Sequence, residues 1–410
     1  MKASMQRIKI TPEGQFHLIG YQATYKSRQK PAEGVHDDIY AQPILLETKG
    51  KKIFIFQADL IEFEYEFCQE VKAKLNTTYG IDENLVFFSA THNHSAVMDY
   101  HKTWSHGVFS QDYYDYLVDV VITSYAQLDK NLVPVHAFYG KTTVEGYYGS
   151  RIHLGEKADN DVLLVEFRNQ ETQEVVAAIC NWATHSTVIS PENDLLTAEF
   201  AGWVGQKIEQ YKGYIPAMIV GAAGDSSNRA FRQGVGYEEL ERISSAVAQA
   251  IGEIEVHHSL DVEYEYDHYV EHRVNYVPEV DVEATMEQIS EFEAAQDAAN
   301  TFDEKKVFAD RIRALKRRLD LKEVDITLFS SIVKLGDLQW ISIPGELGSR
   351  YGFDLKKASQ AECCLIFGYT NGHFGYLLPE ELYGLSFETL GSKYRPQDVD
   401  EYVNLIHKHL

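Results

Sequence analysis

Short apolar runs rich in β-branched and aromatic residues alternate with helical patterns through the first 255 residues, which limits the chain to an α/β fold. The run "KIFIFQAD" precedes a helical pattern over about 63–78, and "NLVFFSA" follows it. Further strands are predicted at "VLLVEF", "EVVAAICNWA", "AMIVGAAG" and "CLIFGY". We therefore predict a mixed β-sheet core flanked by helices.

No linker rich in Pro, Gly or Ser divides the chain, so we predict a single large domain over residues 1–410. An alternating segment at 262–276 indicates a strand, and charged helical patterns follow it. These patterns predict a helical insertion at about 280–322, which either covers a pocket, pairs with another subunit or is a solvated charged face. Whether the chain forms a homo-oligomer therefore stays open.

The chain carries 62 acidic and 38 basic residues, a formal net charge of −24. This charge works against binding to nucleic acid or to an anionic membrane surface. The N-terminal segment lacks the apolar region of a secretory signal, and no stretch reaches the roughly 18 apolar residues of a membrane span. We therefore expect a cytoplasmic protein without a stable membrane anchor. The four cysteines lack CxxC spacing and are expected to be buried free thiols.

Polar clusters follow five of the apolar runs. Because ligand sites of α/β sheets lie beyond the carboxyl ends of strands, this shared placement predicts a single site. The five clusters are "ATHNHS" with His92 and His94, "NWATHST" with His185, "GAAGDSSNR" with Asp225 to Arg229, "SIPGEL" with Glu346, and "YTNGHFGY" with His373 and Tyr376.

Two or three histidines, one glutamate and a tyrosine suit Zn²⁺, and zinc-activated water makes hydrolysis the natural reaction class. On an extended backbone the side chains of His92 and His94 would share one face, about 7 Å apart. Alternatives stay open at this point. The two rings could cap a loop, His185 could be a core histidine, and Glu346 could cap the next helix. The segment "GAAGDSSNR" either forms a tight turn and an N-cap or lines a substrate pocket.

Eight segments, in order across nearly the whole chain, resemble the neutral/alkaline, non-lysosomal ceramidase family of zinc-dependent amidases, which cleave the amide of N-acyl sphingoid bases. The segments are "GVHDDIYAQPILLE", "QADL", "NLVFFSATHNHS", "NWATHST", "TAEFAGW", "GAAGDSSNR", "IPGE" and "TNGHFGYLLPEE".

The resemblance implies a role for each candidate site residue. His94 would face the substrate, Arg151 would steady the oxyanion with it, and Ser227 matches the serine of the family's "GD-x-S" segment, as a catalytic or a pocket-lining residue. Apart from the resemblance, hydrolysis of an amide needs a general acid for the leaving amine, and His94 and His373 are the two candidates. The implied zinc ligands are His92, His185, Glu346 and Tyr376.

The chain departs from the family pattern in three places. The family's "THTHSGPGG" is here "THNHSAVMD", so we expect a bulkier loop beside the metal. Phe387 replaces a family tyrosine that is thought to stabilise the oxyanion, so either another donor such as His373 or Tyr383 substitutes or the substrate differs. The chain ends soon after its last motif, so we expect no C-terminal immunoglobulin-like domain.

These observations predict a zinc-dependent hydrolase that cleaves the carboxamide bond of a small N-acyl amine in lipid metabolism, whose substrate need not be ceramide. One alternative is a binuclear metallohydrolase. An amidohydrolase barrel expects a bridging lysine and eight regular βα units, and a phosphoesterase expects an opening DxH and a later GNH, none of which we find. The other alternative is a binding protein that kept the fold without activity.

Overall fold

The computed structural model describes residues 1–21, 28–103, 108–152, 158–300 and 302–410. The strands of these residues are, in chain order, β1 Lys2–Met5, β2 Ile8–Lys9, β3 Gly34–Val35, β4 Tyr40–Thr48, β5 Lys51–Ala58, β6 Val86–Ala90, β7 Val133–Thr143, β8 Gly149–Ser150, β9 Asp161–Asn169, β10 Val175–Trp182, β11 Leu195–Leu196, β12 Ala217–Val220, β13 Ser226–Ser227, β14 His258–Leu260, β15 Tyr264–Tyr276, β16 Val324–Leu335, β17 Leu338–Ser342, β18 Glu346–Leu347, β19 Cys363–Phe367 and β20 Tyr376–Leu377. The α-helices are α1 Tyr65–Tyr79, α2 Gln111–Lys130, α3 Glu199–Lys212, α4 Tyr237–Gly252, α5 Val282–Ala298, α6 Phe302–Asp320, α7 Ser349–Ala358, α8 Phe387–Leu390 and α9 Pro396–His407.

Two mixed sheets form the centre of the fold. The larger sheet has the order β12-β10-β9-β7-β1-β4-β5-β6, with β2 paired to β4 and β14 paired to β7. Its pairs are antiparallel except β5–β6 and β10–β12, which are parallel. The smaller sheet has the order β15-β16-β17-β19, in which β17 and β19 are parallel. The prediction of an α/β fold with a mixed sheet core is confirmed.

Strand β5 shows how the sequence separates the two faces of the larger sheet. Ile53 and Ile55 pack in a cluster with Trp340 of the smaller sheet, whereas Phe54 and Phe56 pack against helices on the opposite face. Side chains alternate across a strand, so an unbroken apolar run is the pattern of a strand that is buried on both faces. Full burial of each such side chain contributes about 1.5–3 kcal/mol.

Helices cover the outer faces of both sheets. Helices α1 and α2 pack on one part of the larger sheet, and α3 and α4 pack on another. The outer face of the smaller sheet is covered by α7 and α9. The order of layers is therefore helix, sheet, sheet, helix, and the apolar cluster between the two sheets is formed by residues from both.

Helices α5 and α6 connect β15 to β16, at the positions where the sequence predicts a helical pair. Residue 301, inside the predicted range, lies outside the described residues. Helix α6 packs against α8. Ala314 of α6 lies so close to Gly391 that a Cβ atom added to Gly391 would be 2.7 Å from the carbonyl oxygen of Ala314. That this pair is an insertion within one domain stays a prediction.

The loops at the carboxyl ends of the parallel strands are joined by backbone hydrogen bonds. The N–H of Gly368, after β19, donates to Val220 of β12 at 2.9 Å. The N–H of His185, after β10, donates to the carbonyl oxygen of Ser226 at 3.3 Å, and the N–H of Ala90 donates to Tyr369 at 3.3 Å. The polar clusters that follow these strands therefore meet at one edge of the fold.

Two further sequence expectations concern burial and membranes. All four cysteines are buried free thiols, as predicted. Among the described residues, no helix combines the length and the apolar character needed to cross a bilayer.

Candidate active site

Two imidazoles present their Nε2 atoms to one point of this edge. Nδ1 of His92 lies 2.9 Å from the carbonyl oxygen of Ile61, and Nδ1 of His185 lies 3.0 Å from that of Ser226. A carbonyl oxygen only accepts hydrogen bonds, so both rings carry their proton on Nδ1 and keep an Nε2 lone pair. Burial lowers the pKa of His92 to about 3 and lowers the pKa of His185, so both rings are neutral.

A third imidazole, His94, lies beside His92. The Nε2 atoms of the two rings are 3.1 Å apart, and Nδ1 of His94 is buried without a hydrogen-bond partner among the described residues. The prediction of an extended segment is wrong at His92, whose φ is 55°. This left-handed backbone, rather than two residues of strand rise, brings the rings together. Ligand atoms of His92, His94 and His185 all lie within 4.8 Å of one another.

The carboxylate of Glu346 completes the cluster. Its Oε2 lies 2.9 Å from Nε2 of His185 and 3.7 Å from Nε2 of His92. Burial opposes ionisation of Glu346, but the neighbouring imidazoles hold its pKa well below the usual range. Two nitrogen lone pairs and an anionic oxygen at these distances repel one another unless a cation lies between them. Imidazole nitrogen and carboxylate oxygen are also the donors that Zn²⁺ prefers, so these residues fit a zinc ion.

Tyr376 is placed next to Glu346 by the short parallel pair of β18 and β20, in which the two residues are register partners. Its hydroxyl oxygen accepts a hydrogen bond from Nη2 of Arg151 at 3.1 Å. Arg151 is fixed by an ion pair of 2.8 Å with Glu388 and by a hydrogen bond to the carbonyl oxygen of Gly224. The predicted residues Arg151, Glu346 and Tyr376 are thus neighbours.

His373 lies behind Glu346 and belongs to a chain of alternating imidazoles and carboxylates. Its Nε2 lies 3.1 Å from Oε1 of Glu346, and its Nδ1 lies 2.7 Å from Oε2 of Glu62. Glu62 also lies 2.8 Å from His101, whose other nitrogen lies 3.0 Å from Glu64. Burial opposes the charge on Glu62, but His373 and His101 lower its pKa to about 2.

The segment "GAAGDSSNR" forms a tight backbone approach and also lines the cavity, so both interpretations of its sequence apply. Gly224 allows a close backbone approach, since a Cβ there would lie 2.3 Å from the carbonyl oxygen of Glu346. Asp225 accepts hydrogen bonds from the backbone N–H and the hydroxyl of Ser349 at the start of α7. Asn228 and Arg229 line the cavity described below. Ser227 lies in β13 and accepts a hydrogen bond from the N–H of Arg229 at 3.3 Å.

Sequence reasoning missed two residues of the site. Tyr369 stacks on His92 with 4.2 Å between ring centroids, and its hydroxyl donates to Glu346 at 3.4 Å. Glu62 holds His373 as described above. Both follow buried strands, β19 and β5, so the rule that selected the other residues would have found them.

A cavity of about 660 Å³ opens over the cluster. This volume lies in the range of about 300–1,000 Å³ of small-molecule sites. Phe387, at the position of the family tyrosine, also lines the cavity, whereas Ser227 and Tyr383 are absent from the described residues that line it. The predicted site residues that line the cavity are His92, His94, Arg151, His185, Glu346, His373 and Tyr376.

Several solved structures share this fold, among them two ceramidase structures. The neutral ceramidase from Pseudomonas aeruginosa superposes with a TM-score of 0.75 at 17% identity, over 99% of this chain and 73% of that chain. A ceramidase complexed with C2 superposes with a TM-score of 0.73 at 16% identity, over 99% of this chain and 74% of that chain. No curated protein sequence matches the chain.

The layered α/β fold is that of these solved ceramidases, and it carries a buried group of three histidines that could hold a metal ion. The family model for the N-terminal part of the neutral/alkaline non-lysosomal ceramidases matches residues 10–218, just over half of the 410 residues. The chain therefore belongs to the neutral/alkaline non-lysosomal ceramidase family, and the predicted resemblance is confirmed.

Proposed function

We propose that this protein is a zinc-dependent amidase that cleaves the carboxamide bond of a small N-acyl amine. The observation that carries the proposal is the convergence of acceptor atoms, with Oε2 of Glu346 at 2.9 Å and 3.7 Å from the Nε2 atoms of His185 and His92. A structural role alone does not require such a cluster, because unpaired acceptors repel one another when buried.

The proposed zinc ligands are His92, His185, Glu346 and Tyr376. The guanidinium of Arg151 supports the last of these, because a hydrogen bond of 3.1 Å to the Tyr376 oxygen favours a phenol that donates its electron pair to a cation. When bound, Zn²⁺ would polarise the amide carbonyl and acidify the attacking water.

The chain itself supplies the proton transfers and the stabilisation of charge. His94 is the better general acid, because its Nδ1 has no partner among the described residues, whereas both ring nitrogens of His373 contact carboxylates. We therefore propose that the neutral ring of His94 takes a proton from the attacking water and passes it to the leaving amine nitrogen as the C–N bond breaks, and that His373 orients Glu346. We also assign to His94 and Arg151, which both line the cavity, the stabilisation of the oxyanion of the tetrahedral intermediate. With Phe387 in place of the family tyrosine, they are the proposed substitutes for its hydroxyl.

The cavity supports an acyl substrate. Leu18, Ile19, Ile61 and Met98 line it together with the imidazole cluster, so an acyl chain can lie on an apolar wall while its amide carbonyl faces the polar residues. Ceramide is the substrate that the relatives' name suggests, and shorter N-acyl amines fit the same chemistry.

The experiment that tests this function is a hydrolysis screen of N-acyl amines of differing chain length, run with and without a chelator. We expect release of free amine that stops with the chelator and returns on addition of Zn²⁺. Turnover that is indifferent to the chelator would refute zinc dependence, and absence of release from every amide would refute the amidase. Two metals per chain would favour the binuclear alternative, and no metal would favour a binding protein.

A further inference from the structure

The cavity is basic, although the chain carries a formal net charge of −24. Among the described residues that line it, eight arginines and lysines face three carboxylates, and the three neutral histidines of the cluster add no charge. A cleft lined by one sign of charge raises the local concentration of ligands of the opposite sign. A zinc ion would add further positive charge to the same space.

The three carboxylates of the cavity are already engaged. Glu346 belongs to the imidazole cluster, and Glu388 pairs with Arg151 at 2.8 Å. Asp310 pairs with Lys306 at 2.7 Å and also with Arg313. These contacts leave other cations of the cavity wall without a counter-charge.

Five cations of the cavity wall remain. Arg28 and Arg232 donate hydrogen bonds to backbone carbonyl oxygens, and the other three are Arg229, Arg317 and Lys393. None of these last three side chains has a hydrogen bond or an ion pair with the described part of the chain. Burial lowers the pKa of Lys393 to about 8, and the charge of Arg317 acts in the same direction while Glu62 acts against it. The side chains of Lys393 and Arg317 are therefore close enough for their like charges to affect each other. A buried amide accompanies them, because both polar atoms of the Asn228 side chain lack a partner among the described residues. Asn228 lines the same cavity.

Helix α6 provides one wall of this basic region. Lys306, Asp310, Arg313 and Arg317 follow at helical spacing and all line the cavity, so they share one face of the helix. The close approach of Ala314 to Gly391 holds that face against the cavity. The adjacent Lys316 points elsewhere, since it pairs with Glu293 of α5 at 3.2 Å and is absent from the cavity lining.

We propose that the amine half of the substrate carries an oxyanion, a carboxylate or a phosphate, which binds to Arg229, Arg317, Lys393 and the Asn228 amide. This inference rests on the proposed amidase function and specifies its substrate class. It separates this chain from an enzyme for neutral N-acyl amino alcohols. Hydrogen bonds to charged groups contribute about 1.5–3 kcal/mol, so loss of one cation should lower affinity for the anion by about tenfold or more.

The test compares three amides with the same twelve-carbon acyl chain on the zinc-loaded full chain. They are N-lauroylethanolamine, which is neutral, N-lauroylglycine, which carries a carboxylate, and N-lauroyl-O-phosphoethanolamine, which carries a phosphate. We measure kcat/KM for each amide, and Kd by calorimetry for any amide that is not turned over. The variants are Arg229→Gln and Arg317→Gln, with Lys316→Gln as the matched control on the same helix.

We expect at least one anionic amide to be preferred over the neutral one by about tenfold or more, and the identity of that amide distinguishes carboxylate from phosphate. Arg229→Gln and Arg317→Gln should each reduce the preference by about tenfold, and Lys316→Gln should leave it unchanged. Equal kcat/KM for all three amides, or a preference that survives both variants, would overturn the anion site while the amidase stands. Absence of turnover with a charge preference in Kd that the variants remove would refute the amidase and support the anion site.

Discussion

The carboxylate of Glu62 lies 2.7 Å from Nδ1 of His373, and Nε2 of the same ring lies 3.1 Å from Glu346. Burial disfavours a charged imidazole, yet the two carboxylates raise the pKa of His373 to about 10. A cationic ring held in this way fixes the orientation of Glu346, a proposed zinc ligand. A residue that holds a metal ligand in place through a hydrogen bond typically contributes 10- to 100-fold to metal affinity or activity.

Glu62→Gln should therefore lower amidase activity or zinc affinity by about 10- to 100-fold, because the neutral amide no longer holds the charged ring of His373. Steady-state kinetics and a zinc competition titration measure the two effects. Glu64→Gln is the matched control, because Glu64 reaches the cluster only through His101 and should cost less. Equal losses in the two variants would show that Glu62 has no special position.

His94→Ala and Tyr376→Phe distinguish the fourth zinc ligand from the residue that faces the substrate. Because an oxyanion donor typically contributes about 10²–10³ in rate, we expect His94→Ala to keep its zinc and lose about that factor in kcat. Tyr376→Phe should instead weaken zinc binding, since a phenyl ring has no donor atom. Metal analysis of both variants with single-turnover kinetics gives the answer. If His94→Ala loses its zinc and Tyr376→Phe retains it, His94 is the fourth zinc ligand and Tyr376 is the residue that faces the substrate.

Ser227→Ala tests the role of the serine that the resemblance singles out. The Oγ atom of Ser227 accepts from the N–H of Arg229, and Arg229 lines the cavity while Ser227 does not. We therefore expect the variant to retain measurable turnover, with a change in KM greater than the change in kcat. Complete loss of turnover in a folded, zinc-containing variant would instead identify Ser227 as a nucleophile.

The buried carboxyl group of Glu199 predicts a dependence of stability on pH. It accepts backbone hydrogen bonds from Ile189 and Phe200, and burial raises its pKa from 4.5 to about 7. The folded state therefore holds a proton that the unfolded chain releases between pH 4.5 and 7. The free energy of unfolding should consequently fall as the pH rises through this window.

Glu199→Gln should reduce this fall by up to about 3 kcal/mol, because the amide does not titrate. Urea unfolding at pH 5 and pH 8 measures the difference, independently of the cost of the substitution itself. Glu238→Gln, at an exposed position of α4, is the control. Parallel behaviour of the wild type and Glu199→Gln would mean that Glu199 does not carry the effect.

Much of the fold and part of the site followed from local pattern. The run around Phe54 and Phe56 predicts β5 because burial on both faces leaves an unbroken apolar sequence, and the polar residues after such runs include His92 and His185. The left-handed backbone of His92 was outside this reasoning, because a single φ of 55° is set by contacts with neighbouring loops and not by periodicity.

Other features depend on contacts between distant parts of the chain. The pair of β18 and β20, which brings Tyr376 beside Glu346, has two residues per strand and therefore shows no period. The pairing of Glu62 with His373 joins residues that are far apart in sequence. In the sequence, the charged residues of α6 have the pattern of a solvated helix face. They line a cavity only because loops around Arg229 and Lys393, which are distant in the sequence, form the opposite wall.

The most direct test of the central claim is the metal content of the purified protein and of the His185→Ala and Glu346→Ala variants, measured by mass spectrometry beside the amidase rate. We predict near-stoichiometric zinc in the wild type and loss of both zinc and rate in each variant, with the cooperative unfolding transition retained. A wild type without zinc, or a variant that keeps both its zinc and its rate, would contradict the account.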